Sequence, residues 1–233
     1  MPTIHPRKGL DIPPLADPFY ELASLTETLP GDIVQIPSLY PNRHKYVLDI
    51  AKNRYDPTES LLEFLLRPME VAERAFPIQR LGLASDEYYF AVKGKMRPAI
   101  VVTGGEVQWA AGMQEKIFLC IPLYTVDKPK ISQKFVVRVQ ANQYPAYFYL
   151  FPSATFGIQE SIARFELLQV VHGRALRPHT TGHAGVSLSD EAFGWVKAHL
   201  CKFLGCTIPK QLDDDLMAYG ELVIEEYRRL VGG

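Results

Sequence analysis

The sequence predicts an α+β protein, a small antiparallel β-barrel carrying a helical insertion and C-terminal helices. Three observations predict it. Between Tyr88 and Val171, short apolar or alternating segments follow one another with little room for helix, the spacing of antiparallel strands. Beyond Ser187 the apolar period switches to that of a helix. Between Ser38 and Ser85 the leucines also recur at helical spacing, interrupting the β pattern.

The elements follow in chain order. Residues 1–29 read as an N-terminal arm, extended by Pro2, Pro6, Pro13 and Pro14, and a short helix opened by Asp17-Pro18. Residues 30–204 read as the barrel domain. Its first strand, Asp32–Ile36, is entered by a turn at Pro30-Gly31. Within the insertion, 38–85, Asp56-Pro57-Thr58-Glu59 places an N-cap, a proline at N1 and an acid at N3. Leu61, Leu62, Leu65 and Leu66 follow at helical spacing, so a helix is expected over Asp56–Ala75. Strands are then expected at Tyr88–Val92, Ala99–Val102, Lys116–Tyr124, Phe135–Gln140, Tyr144–Phe151 and Ser161–Val171, with tight turns at Lys93-Gly94-Lys95 and Thr103-Gly104-Gly105. Ser187–Asp190 caps a helix that buries Phe193, Val196, Leu200 and Phe203 and ends at Gly205. Residues 205–233 supply a last helix with Leu216, Tyr219, Val223 and Tyr227 on one stripe.

Composition bounds the function. The chain has 233 residues, 47% hydrophobic and 22% charged, enough to bury a core without staples. Its 25 Lys+Arg against 26 Asp+Glu leave a net charge of −1, so a polyanion partner would have to be met by a local patch. Three cysteines in a chain this long suit a reducing, cytoplasmic setting; Cys120 lies in an apolar run and reads as core. Neither a signal peptide nor an apolar run of ~20 residues is seen, so no membrane partner is expected. His179 and His183 stand four apart in a Gly- and Thr-rich loop without a third ligand; neither a metal nor a cofactor is expected.

Four segments carry the chemistry. Pro30-Gly31-Asp32-Ile33-Val34 turns into a first strand. Lys93-Gly94-Lys95-Met96-Arg97-Pro98 brings cations to the start of the buried run Ala99–Val102. Ile117–Thr125 is an apolar run ending in hydroxyls, and Glu160-Ser161-Ile162-Ala163-Arg164 places an acid and a hydroxyl at another strand start. In this order the segments resemble the MazF/PemK family of toxin ribonucleases, small SH3-like barrels. The insertion between the first two strands departs from that family, as do Val92 and Lys93, which stand where it carries polar residues before Arg-Pro.

The resemblance implies a metal-independent endoribonuclease that cleaves single-stranded RNA through attack of the adjacent 2′-hydroxyl, as the toxin of a type II toxin–antitoxin pair. It also implies a homodimer and an antitoxin protein as partner. Arg97 would bind the dianionic transition state through its planar fork, with Thr125 or Tyr124 bonding the same phosphate. Lys93, Lys95 and Ser161 would hold the RNA. The alternative is an inactive barrel of the same ancestry that binds protein or nucleic acid. Arg97 and its partner hydroxyl are expected to line one exposed concavity.

Overall fold

The computed structural model describes residues 7–39, 46–50, 64–68, 90–91, 94–108 and 114–232. In chain order the strands are β1 (Tyr20–Ala23), β2 (Asp32–Leu39), β3 (Tyr46–Ile50), β4 (Phe64–Pro68), β5 (Phe90–Ala91), β6 (Gly94–Gln108) and β7 (Gln114–Thr125). Helix α1 (Gln133–Gln140) intervenes before β8 (Tyr147–Leu150), β9 (Ser161–Arg164), β10 (Gln169–His172), β11 (Arg177–Pro178), β12 (Thr180–Thr181) and β13 (Ala184–Leu188). Helices α2 (Asp190–Phe203) and α3 (Lys210–Val231) close the chain. The fold is mixed α+β: a curled antiparallel sheet and three helices among the described residues. No helix among them is long and apolar enough to cross a membrane.

The chain divides into two compact units, Met1–Ile36 with Met96–Gly233, and Pro37–Lys95. The smaller unit holds a three-stranded antiparallel sheet in the order β4-β3-β5. In the larger one the sheet order is β1-β13-β2-β6-β7-β9-β8, with β10 beside β7. The four segments singled out in the sequence are therefore the consecutive strands β2, β6, β7 and β9.

Both faces of this sheet are covered, which explains the nearly unbroken apolar run of β7. Ile33, Ile100, Ile121 and Leu123 pack with Phe148, Leu150 and Phe165 against Trp195, Val196 and Leu200 of α2. Val34, Ile36, Ala99, Val101 and Cys120 point the other way and pack with Val171. Burial pushes the Cys120 thiol up to about 12, so it is a filler and not a nucleophile. Helix α2 starts at Ser189, whose side chain accepts from the Ala192 N–H.

Several expectations are corrected. Phe135–Gln140 is helix: Ser132 caps α1 by accepting from the Phe135 N–H, and Val136, Val137 and Val139 are all buried. Phe64–Pro68, expected as helix, is a strand paired with Tyr46–Ile50; the other residues of Asp56–Ala75 lie outside those described. Asp17-Pro18 opens no helix; the bond is cis and strand β1 follows. Gly94-Lys95 and Thr103-Gly104-Gly105 are not turns, because β6 continues through both, with its irregularity between Val101 and Thr103. Phe90–Ala91 belongs to the small sheet, not to the large one. The loop around His179 and His183 forms β11 to β13, with the His179 N–H donating to the Ile33 carbonyl.

The arm is also part of the core. Leu10, Ile12 and Ala16 are buried, and the Leu10 N–H donates to Gln140 Oε1 at 2.8 Å while Gln140 Nε2 donates back to the Leu10 carbonyl at 3.1 Å.

Candidate functional site

The turn before β2 is built by its own residues. Gly31 has φ +97°, a conformation that suits glycine, and its N–H donates to the Val101 carbonyl at 2.8 Å. Asp32 Oδ2 accepts from the Leu29 N–H at 2.7 Å; burial raises the carboxyl's pKa although that hydrogen bond lowers it. The Gly-Asp pair therefore seats β2 beside β6, a structural task.

Arg97 and Tyr124 meet because β6 and β7 pair in register. Ala99 faces Pro122, and two residues further the same register sets Arg97 opposite Tyr124. The Arg97 guanidinium carbon lies 4.2 Å from the centre of the Tyr124 ring. Arg164 of β9 approaches the same ring at 4.9 Å, Tyr124 being aligned with Ile162 two residues before it. Arg164 in turn faces Tyr147 of β8, at 5.9 Å from ring centre to guanidinium carbon. One side chain per strand, Arg97, Tyr124, Arg164 and Tyr147, thus crosses β6, β7, β9 and β8 as an alternating ladder. Such contacts contribute from about 0.5 kcal/mol when exposed to about 2 when desolvated. Arg164 is further held by Glu166, to which Nε and Nη2 donate at 2.8 and 2.6 Å.

The hydroxyls lie next to this ladder. Thr125 is half-buried and pairs in register with Ser161. The Ser161 hydroxyl donates to the Gln159 carbonyl at 2.8 Å. The acid of that segment, Glu160, clamps the arm: its oxygens accept from the Lys8 N–H at 2.9 Å, the Gly9 N–H at 2.5 Å and the Tyr149 hydroxyl at 2.7 Å. Lys95 is exposed on β6, and Lys93 lies outside the described residues. Arg97 is only 8% exposed and Tyr124 9%, so the expected open concavity at Arg97 is corrected to a largely buried stack.

Sequence reasoning did not join Arg164 and Tyr147 to Arg97 and Tyr124; Arg164 meets the Tyr124 ring and Tyr147 meets Arg164, and the Ser161–Arg164 strand start was the signal for Arg164. It also missed a cleft of about 650 Å3 at the far end of the β6–β7 pair, bounded by Leu29, Gly104, Lys116, His172 and Arg174. There His172 Nδ1 lies 2.9 Å from Glu115 Oε2. Phe118 forms part of the lining, and a Cβ on Gly104 would stand 2.6 Å from its ring. Compared with known proteins, the chain matches no family model, no curated sequence and no solved structure.

Proposed function

We propose that this protein is a metal-independent endoribonuclease of the MazF/PemK type, acting on single-stranded RNA as the toxin of a toxin–antitoxin pair from an SH3-like barrel. The observation that carries the reading is the fixed guanidinium pair, Arg97 and Arg164, on the two sides of one ladder position, Tyr124, beside the Thr125 hydroxyl. Cleavage by an adjacent 2′-hydroxyl develops a dianionic phosphorane, and preorganised donors aimed at that charge are the largest catalytic contribution open to such a site. Arg97 holds the phosphate, Thr125 or Tyr124 donates to the same oxygens, and Arg164 stabilises the second charge. The adjacency of the four family-like segments as β2, β6, β7 and β9 supports the same reading.

A second reading is favoured by a separate observation: Arg97, at 8% exposure, is as buried as a core residue. On that reading the barrel binds a partner and cuts nothing. The test is incubation of purified protein with single-stranded RNA in EDTA. The ribonuclease predicts fragments ending in 2′,3′-cyclic phosphate and 5′-hydroxyl, made by wild type and not by Arg97→Ala. Intact RNA under conditions where a MazF-type enzyme cuts it favours the binding module.

A further inference from the structure

We propose that the ladder continues outward from Arg164 as a landing track for single-stranded RNA, formed by Arg164, Tyr147, Tyr144, Phe135, Lys134 and Arg138. The proposal rests on the ribonuclease reading for its choice of RNA as the polyanion.

Contacts continue beyond the sheet without a break. Tyr147 meets Tyr144 with ring centres 6.0 Å apart, and Phe135 of α1 touches both rings, at 5.5 and 5.8 Å. The Arg138 guanidinium carbon lies 5.1 Å from the Tyr144 ring centre, and its Nε donates to Gln143 Oε1 at 2.8 Å. Exposure rises along the series: Arg97 and Tyr124 are buried, Arg164, Tyr147, Tyr144 and Phe135 half-buried, and Arg138 and Lys134 exposed. The series therefore leads from solvent to the candidate phosphate site.

Charge supplies an independent argument. The whole chain carries net −1, yet the stretch from Asp127 to Arg138 holds four cations, Lys128, Lys130, Lys134 and Arg138, against Asp127 alone. All four cations are exposed. On α1, Val136, Val137 and Val139 face the core, which leaves Lys134 and Arg138, four apart, on the outward side. Single-stranded nucleic acid is held by this combination, cations that follow the backbone and aromatic rings that accept bases. The elements are anchored: α1 is capped at Ser132, and the Tyr144 backbone is held by His199, whose Nε2–H donates to the Tyr144 carbonyl at 3.2 Å.

The test is fluorescence anisotropy of the full chain with a single-stranded 2′-O-methyl oligonucleotide, which cannot be cleaved, titrated over a range of salt. Wild type should bind. Lys134→Gln with Arg138→Gln, both exposed and harmless to folding, should weaken binding and lower the salt slope by about 1.4, the value for two lost contacts to a single strand. Tyr144→Ala should weaken it by about tenfold. Lys116→Gln with Arg174→Gln, an equal charge change in the distant cleft, should leave affinity and slope unchanged.

Failure of wild type to bind, or equal binding by wild type and the Lys134/Arg138 variant, would overturn the track. So would loss confined to the Lys116/Arg174 variant, which would move the RNA to the cleft. Cleavage of unmodified RNA is scored separately. Cleavage without dependence on the track refutes the track and leaves the ribonuclease reading standing. Track-dependent binding with no cleavage does the reverse.

Discussion

The two ends of the β6–β7 pair differ in kind. One end stacks Arg164 and the buried Arg97 on Tyr124; the other opens into the cleft at Gly104, Glu115, Lys116 and His172. From Tyr124 to Lys116 the strand runs eight residues, roughly 26 Å at the usual rise. The cleft offers volume, but its charges oppose each other: Glu27, Glu106 and Glu115 stand among Lys116 and Arg174. A polyanion gains little from such a lining. The stack is nearly closed, and its guanidiniums are held in place by rings, with Arg164 also bonded to Glu166. The contrast teaches that, for phosphate chemistry, cations held in place by their neighbours are a better guide than empty space.

The largest effect that can break this comparison is on catalysis. Arg97→Ala should lower the RNA cleavage rate on the order of a hundredfold or more, with affinity for uncleavable RNA changed far less, since the charge it meets grows in the transition state. Arg97→Lys should recover little, because a lone ammonium lacks the planar fork. Lys116→Ala should leave the rate unchanged. If the two variants exchange behaviour, the cleft is the active centre.

The next effect is on stability and sharpens the role of the cleft floor. Gly104→Val puts a branched side chain where Cβ alone would stand 2.6 Å from Phe118. Overpacking of this sort costs about 1–3 kcal/mol, read as a fall in the urea midpoint, while the cleavage rate per folded molecule stays at the wild-type value. A fall in that rate would mean that the two ends are coupled.

A pH effect follows from His199, 2% exposed beneath the track. Burial lowers its pKa, although the bond to Tyr144 raises it. Its Nδ1 makes no hydrogen bond in the structure, and the Tyr147 backbone, like that of Tyr144, only partly offsets the cost of burying a charged ring. With the folded pKa below the unfolded one, the unfolded chain binds more protons, so this contribution is complete above about pH 6.5. It is lost as pH falls from there through the folded pKa. Urea midpoints between pH 7.5 and 5 should therefore drop, and drop less in His199→Asn. Equal slopes in the two proteins would refute the assignment.

The smallest effect is at the cleft's contact between His172 and Glu115. Glu115→Gln removes the partner of His172, whose side chain is 57% exposed. Exposed pairs contribute about 0–1 kcal/mol, so the urea midpoint should move little and the cleavage rate not at all.

Much of the scaffold was legible in the chain. Helices α2 and α3 announce themselves through long apolar stripes, and Ser189 and Gly205 mark the ends of the first. Strand β7 is legible from its unbroken apolar run. Helix α1 was not, because eight residues with Val136, Val137 and Val139 satisfy an alternating pattern as well as a helical one; the Ser132 cap was the missed signal. Strand β4 was hidden in the same way, since Leu65 and Leu66 continue a helical spacing that pairing with β3 overrides. Of the site, Arg97 and Tyr124 could be named from their segments. Arg164 and Tyr147 could not be joined to them, because that contact depends on the register of four strands, and register is set by the sheet as a whole.

The most direct test of the central claim is the single-turnover cleavage rate of single-stranded RNA in EDTA, measured for wild type, Arg97→Ala and Lys116→Ala at equal folded concentration. Wild type and Lys116→Ala should cleave at the same rate with cyclic-phosphate products, and Arg97→Ala at a rate on the order of a hundredfold lower. Intact RNA with wild type, or cleavage by Arg97→Ala at the wild-type rate, would contradict that claim.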